Sequence, residues 1–364
     1  MNNTIEKKQL LKTKQHFDVL DGLRGLAAVI VVIFHFMEII IPDFTINVLA
    51  HGYLAVDFFF CLSGFVIAYA YDNRISKIGF ITFIKLRLIR LHPLVVLGAV
   101  IGLVVFVFDP FVSLVDNYSL SQNIGMFLSA CLMVPYPIVS ERYYNIFHLN
   151  PPTWSLLWEY VANIIYAGIL FKVRQKVLWV LTGLAAILLV YTVTIYGNLS
   201  IGWSGGNFWG GGARILYSFL AGMLVFRSGW IIKSKLGFKG MSALLMLAFL
   251  MPFSETMNVI LEPLIVLFYL PFLVALGAGT QPARSERNVC VRSGEISYPL
   301  YMVHYPFIWL FYSYWERFSP SFREQVWIMC VGTPLLIAFA YVITMYLDIP
   351  VRKRLKATLR RKER

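Results

Sequence analysis

Ten runs of mostly apolar residues, most of them near the length of a bilayer-crossing helix, follow one another along this chain. They lie approximately at 20 to 41, 52 to 71, 92 to 108, 153 to 171, 177 to 196, 213 to 226, 240 to 252, 258 to 279, 295 to 315 and 325 to 347. Lipid offers no hydrogen-bond partner to a backbone amide, so a spanning helix needs about 20 such residues in sequence. The expected fold is therefore an all-α integral membrane protein of about ten transmembrane helices. The composition agrees, with 59% hydrophobic residues, 14% charged residues and a mean hydropathy of +0.69. Soluble domains carry about a quarter charged residues. A soluble enzyme, a disordered tail protein and a nucleic-acid binder are all excluded on this ground, which leaves membrane lipids rather than nucleic acid as the surroundings. The four cysteines, Cys61, Cys131, Cys290 and Cys330, lie 40 or more residues apart and show neither zinc spacing nor a disulfide framework.

An eleventh apolar run, 124 to 138, is short and contains Pro135 and Pro137. Charge decides whether it crosses. If it does not, 27 of the 32 Lys and Arg residues fall on one side, which the positive-inside rule makes cytoplasmic. Only Arg142, Arg317 and Arg323 then lie outside, with Arg24 and Arg214 at helix ends. A crossing would instead move every later basic loop outward, so the run is expected to be a re-entrant or interfacial hairpin on the outer face. Residues 1–16 are expected to be a cytoplasmic lead rather than a cleaved signal peptide, because no small-residue cleavage site follows the first apolar run. Residues 17–347 then form a single membrane domain, and 348–364 a basic cytoplasmic tail. Both termini are cytoplasmic, and the inner (plasma) membrane is the expected location. The Gly-rich stretch 202–212 reads as an outer loop without the context of a phosphate loop.

Ionisable residues within spans are functional candidates, because lipid tolerates them only when they are paired or solvated. The first span has Arg24 near its cytoplasmic start and His35 roughly 16 Å deeper at the helical rise. Glu159, entering from outside on the fourth span, lies about 9 Å deep, near the level of His35. Asp57 on the second span falls in the same layer, with Glu38 and Glu262 nearer the outer surface. The plainer alternative is helix-to-helix hydrogen bonding. On the other face, Lys85, Arg87 and Arg90 precede Pro93 on an expected interfacial helix, with Arg87 and Arg90 sharing a face. Basic loops of this kind usually set topology and touch anionic lipid. With Arg24 entering from the same side, however, three guanidinium forks can converge on phosphate oxygens, as in coenzyme A. His304 beside Tyr301 and Tyr305 reads as structural. No metal-ligand spacing is present.

These elements together resemble the membrane acyltransferase family 3. LDGLRGLAAVIVVIFH carries the family's Arg, ten residues, His arrangement. VDFFFCLSGF follows, then RLIRLHP with Arg87 and Arg90 on the Arg-x-x-Arg motif, TWSLLWEY on the Trp-Ser-Leu-x-x-Glu motif, and ISYPLYMVHYP near the end. The order is kept nearly end to end. Two features depart from the pattern: the closing element reads MYLDIPVRK, with Asp348 where Glu is usual, and no SGNH-type hydrolase domain follows. The second leaves the acceptor step in this domain or in a separate partner.

The resemblance implies O-acylation of an exported or surface glycan, with acetyl-coenzyme A the commonest donor. Arg24, Arg87 and Arg90 would hold the donor phosphates. His35 would act as general base or accept the acyl group covalently. Glu159 would orient the imidazole or take the acceptor's proton, and Asp57, Trp154 and Ser155 would line the acceptor side. A proton-coupled secondary transporter is the rival reading, since buried His and carboxylates serve carriers as well. The chain shows no similarity between its halves, which such carriers often do. Flux without coenzyme A distinguishes a carrier, and free-thiol release an acyltransferase. A non-catalytic glycan-assembly partner leaves the intramembrane His and Arg residues without a use.

Overall fold

The computed structural model describes residues 17–362; the expected lead at residues 1–16 lies outside them. The described chain is helical, without a strand beyond two isolated bridges. In chain order the main helices are α1 (Asp18–Ile40), α2 (Ala55–Tyr71), α3 (Phe80–Val107), α4 (Leu120–Leu132), α5 (Thr153–Gly168), α6 (Gln175–Tyr196) and α7 (Phe208–Arg227). There follow α8 (Gly237–Phe249), α9 (Glu255–Leu264), α10 (Leu270–Gly279), α11 (Arg287–Val303), α12 (Tyr305–Phe318), α13 (Phe322–Ile343) and α14 (Ile349–Lys362). Single π-helical turns join α9 to α10 and α13 to α14.

Among the described residues, seven helices are long and apolar enough to cross a bilayer: Asp18–Ile40, Gly52–Tyr71, Phe80–Val107, Gln175–Tyr196, Gly205–Arg227, Glu255–Gly279 and Phe322–Leu359. The chain is thus a multi-pass membrane protein. The other three expected spans are shorter or broken. α5 has 16 residues and α8 has 13, while the run at 295 to 315 divides at His304 into α11 and α12. Pro306 causes that break, since it has no N–H to offer the carbonyl of Met302. The Asn150 amide donates to that carbonyl instead, at 2.9 Å.

Two close seams set the framework. Along the first, α1 packs parallel to α11. A Cβ on Gly25 would lie 2.4 Å from Cβ of Ser293, and one on Gly294 2.7 Å from Cβ of Asp21. Asp18 meets Arg287 at 2.9 Å at one end, and the same register sets His35 beside His304 at the other. Along the second seam, α2 packs parallel to α7. Cβ atoms on Gly64 and Gly222 would come within 2.0 Å of the Phe219 carbonyl and 1.9 Å of the Cys61 carbonyl. Missing side chains here let backbones approach, the usual means of helix association in lipid. Ion pairs close both ends of this seam: Asp57 with Arg214 at 2.6 Å and Asp72 with Arg227 at 2.7 Å.

Several sequence expectations are corrected. α3 runs unbroken through Pro93, so Lys85, Arg87 and Arg90 extend a long helix rather than forming a separate interfacial one. α7 begins at Phe208, inside the stretch read as a loop. Its glycines accept the Trp158 indole, whose Nε1 would lie 2.6 Å from a Cβ on Gly211. Arg214 is consequently buried within a helix, not at its end. The run 124 to 138 is α4 plus an extended return. Met133 in the left-handed region ends the helix, and the Tyr118 hydroxyl donates to Glu141 at 2.6 Å, tying the two ends of the segment together.

Candidate active site

Between the two seams lies a cavity of about 1380 Å³, larger than the roughly 300–1,000 Å³ of a pocket for a drug-sized ligand. α1, α2, α3, α5 and α11 wall it, with the start of α14. Its mouth carries the exposed Gln281, Arg284 and Lys353, and its inner end is closed by Phe59, Ser155 and Tyr301. The first turns after Asp348, read in the sequence as tail, contribute to the mouth.

Arg24, Arg87 and Arg90 all line this cavity. Arg24 is held where the first glycine seam brings α11 close: it donates to the Gly294 carbonyl at 2.7 Å and Ser297 Oγ at 2.9 Å, and pairs with Asp21 at 3.0 Å. Arg87 pairs with Glu159 at 2.8 Å, across from α3 to α5, and Ser63 on α2 donates to the same carboxylate oxygen at 3.0 Å. Arg90, one helical turn beyond Arg87, is exposed into the cavity. Among the described residues no acceptor takes a hydrogen bond from it, nor from Arg284 or Lys353. Arg90, Arg284 and Lys353, without a hydrogen bond or ion pair among the described residues, thus converge at the mouth of a pocket whose walls mix apolar side chains with the carboxylates of Asp21, Glu159, Glu295 and Asp348, an arrangement able to take a polyanion with an uncharged arm.

His35 does not line the cavity. Its Nδ1 lies 2.7 Å from Glu38, its neighbour one turn along α1. A carboxylate only accepts, so this contact places a proton on Nδ1, and in the neutral ring Nε2 is then the nitrogen with the lone pair. His304 stacks on it with ring centroids 5.5 Å apart, and Tyr305 meets it edge-on at 4.6 Å. His304 in turn lies 6.0 Å from Tyr301, whose ring is 5.8 Å from Phe59. One aromatic layer therefore separates the inner end of the cavity from His35. The Ser155 and Tyr301 hydroxyls are 2.8 Å apart at that boundary.

The structure groups the sequence candidates in three places. Arg24, Arg87, Arg90, Glu159 and Ser155 share the cavity; His35 lies beyond it; Asp57 and Trp154 surround Arg214. Arg214 donates to both oxygens of Asp57 and stacks 5.3 Å over the Trp154 ring. Glu159 is held by Arg87, and it is Glu38 that holds His35. Glu262 is fully buried, accepting from the Tyr53 hydroxyl at 2.5 Å and the Leu199 amide at 2.6 Å. His304 emerges as a residue that sequence reading undervalued. Its Nδ1 bonds the Leu300 carbonyl at 3.0 Å, and its buried Nε2 has no partner among the described residues. The tyrosines around it gave no signal, because only the α1–α11 register reveals that it meets His35. Among the described residues no group of three His, Cys, Asp or Glu side chains is placed to hold a metal.

Residues 17–346 match the family model of acyltransferase family 3, described as an acyltransferase domain. A Rhizobium radiobacter protein named Protein 2 in picA locus is 35% identical over 191 residues, 48% of this chain and 94% of that protein. No solved structure matches.

Proposed function

Because the chain belongs to acyltransferase family 3, we propose that it moves an acyl group, in the simplest case acetyl, from cytoplasmic acyl-coenzyme A to a glycan hydroxyl. The acceptor is an exported or surface glycan such as O-antigen, capsule or exopolysaccharide. The carrying observation is the cavity in which Arg24, Arg87 and Arg90 converge. Guanidinium forks bind phosphate oxygens in pairs. The apolar walls beyond them, with Phe60, Leu62 and Leu156, suit a pantetheine arm leading to Ser155 and Tyr301. The mouth is read as cytoplasmic because the loops near it belong to the side holding 27 of the 32 basic residues. On that reading the full set of ten crossings applies, the shorter helices included, with both termini inside and α4 with its return as an outer hairpin.

The reaction follows from the protonation of His35. Nε2 takes the proton of the acceptor hydroxyl as its oxygen attacks the thioester carbonyl; the C–S bond breaks and the thiolate leaves, to be protonated by the imidazolium or water. Glu38 stabilises the imidazolium through Nδ1. The same lone pair suits a covalent variant, in which Nε2 attacks the thioester carbonyl and the thiolate leaves; the hydroxyl oxygen then takes the acyl group from Nε2, with its proton passing to the thiolate or water. In both, the thioester passes the layer formed by Phe59 and Tyr301. Mass spectrometry of surface polysaccharide tests the proposal. Cells with the wild-type gene should show one acyl increment that is missing with His35→Ala, and an unchanged spectrum would overturn it.

A further inference from the structure

Arg142 is the outer-side arginine that the charge distribution leaves unexplained. It ends the short turn after the α4 hairpin and is only 2% exposed, with its guanidinium carbon 4.6 Å from the Trp309 ring and 5.4 Å from Phe106. Arg214, similarly buried, donates to Asp57 and to two backbone carbonyls. Arg142 has nothing comparable: among the described residues its side chain donates no hydrogen bond and pairs with no carboxylate. Asp109, Glu316 and Glu141 are the nearby acids, and none forms an ion pair with it among the described residues. Glu141 accepts from Tyr118 and Asn117, and Asp109 accepts the amides of Phe111 and Val112 through one oxygen. The other Asp109 oxygen and the buried Nε2 of His148, whose ring packs on Phe106, also have no partner among the described residues. Stacking on aromatic faces does not replace the hydrogen bonds a buried guanidinium loses.

The location gives this cation a use. Trp309 lies 5.2 Å from Tyr305, and Tyr305 4.6 Å from His35. We propose that Arg142 is the anchor of the acceptor subsite, binding an anionic group, a carboxylate or a phosphate, carried by the glycan. A neighbouring hydroxyl then reaches Nε2 of His35 from the side opposite the donor cavity. Tyr305 lies between the two positions, so the acceptor extends along its ring, a span that a short oligosaccharide bridges. The proposal rests on the acyltransferase reading for the word acceptor. The anion site itself does not depend on it.

Binding to the purified full chain in detergent, with no acyl donor present, tests the site separately from the reaction. The probes are methyl glucuronide, glucose phosphate and uncharged methyl glucoside, followed through tryptophan fluorescence at low salt. One anionic probe should bind at least about tenfold more tightly than methyl glucoside, and its identity distinguishes carboxylate from phosphate. Arg142→Gln should erase the preference, and Arg142→Lys, which keeps charge without the fork, should retain part of it. Equal binding of all three probes to the wild type would overturn the proposal, as would a preference that survives in Arg142→Gln. If Arg142→Gln fails to fold, Arg142→Lys decides the matter, because the donor cavity has arginines of its own and a wild-type preference alone does not locate the site; an undiminished preference in Arg142→Lys would then overturn the proposal. Loss of acyl transfer with the preference intact would count against the proposed function and leave the anion site standing.

Discussion

Glu38 lies one turn from His35 on the same helix, and its 2.7 Å contact fixes the imidazole tautomer on which the chemistry depends. His35→Ala should lower acyl transfer by roughly 10²–10⁴-fold, the usual range for a general base. Glu38→Gln should lower kcat by about tenfold or more while leaving the donor KM unchanged, as steady-state thiol release would show. An equal loss from Glu159→Gln without loss of folded protein would instead favour Glu159 as the group acting with the imidazole. The arginines separate in the same manner. Arg90 makes no hydrogen bond or ion pair among the described residues, so Arg90→Ala should weaken acetyl-coenzyme A binding at least about tenfold without lowering the melting temperature. Arg87→Ala leaves Glu159 without its cation and should also cost on the order of 2–3 kcal/mol of stability, somewhat less than for a fully buried pair. The arginine cluster was legible in the sequence because Arg87 and Arg90 are three residues apart on a helix. The partner of Glu159 was not. Depth in the membrane follows from counting residues, but the direction a side chain faces depends on how its helix is rotated against its neighbours.

Helix contacts explain why Asp57 belongs with Arg214. α2 and α7 touch through Gly64 and Gly222 between two ion pairs, and this pairing is what places the Ser63 hydroxyl on Glu159. A Cβ on Gly222 would lie 1.9 Å from the Cys61 carbonyl. Gly222→Ala should therefore push the helices apart and destabilise by about 1–3 kcal/mol in detergent melts. Asp57→Asn leaves a buried Arg214 without its counter-charge, and about 3–5 kcal/mol should be lost. Activity and folded protein should then fall together; a raised acceptor KM in a fully stable Asp57→Asn protein would restore Asp57 to the acceptor side. Apolar length was a good guide to α1, α2, α6 and the long α9–α10 unit. It found α7 but not its first turns, where glycines that resemble a loop are the packing surface for Trp158, and it failed at His304, where Pro306 divides one apolar run into two helices.

The whole molecule is asymmetric from end to end. A large cavity opens at one end of the bundle among arginines and lysines, while His35, Arg142 and the α4 hairpin lie toward the other. The net charge of +13 carries the topology expectation, whereas the enclosure of the cavity by residues from 18 to 353 is a product of tertiary packing. Gln281, exposed at the mouth, offers a probe of both. A single cysteine there should react with a membrane-impermeant maleimide only from the cytoplasmic face, and acetyl-coenzyme A should slow the reaction. The central claim, that an acyl group from coenzyme A passes by way of His35 to a hydroxyl, is tested most directly in membrane vesicles supplied with acetyl-coenzyme A radiolabelled on the acetyl group. Label should appear on glycan with one free thiol released per acetyl in the wild type, and neither should occur with His35→Ala. Equal labelling in the two, or substrate flux across the vesicle without thiol release, would contradict the account.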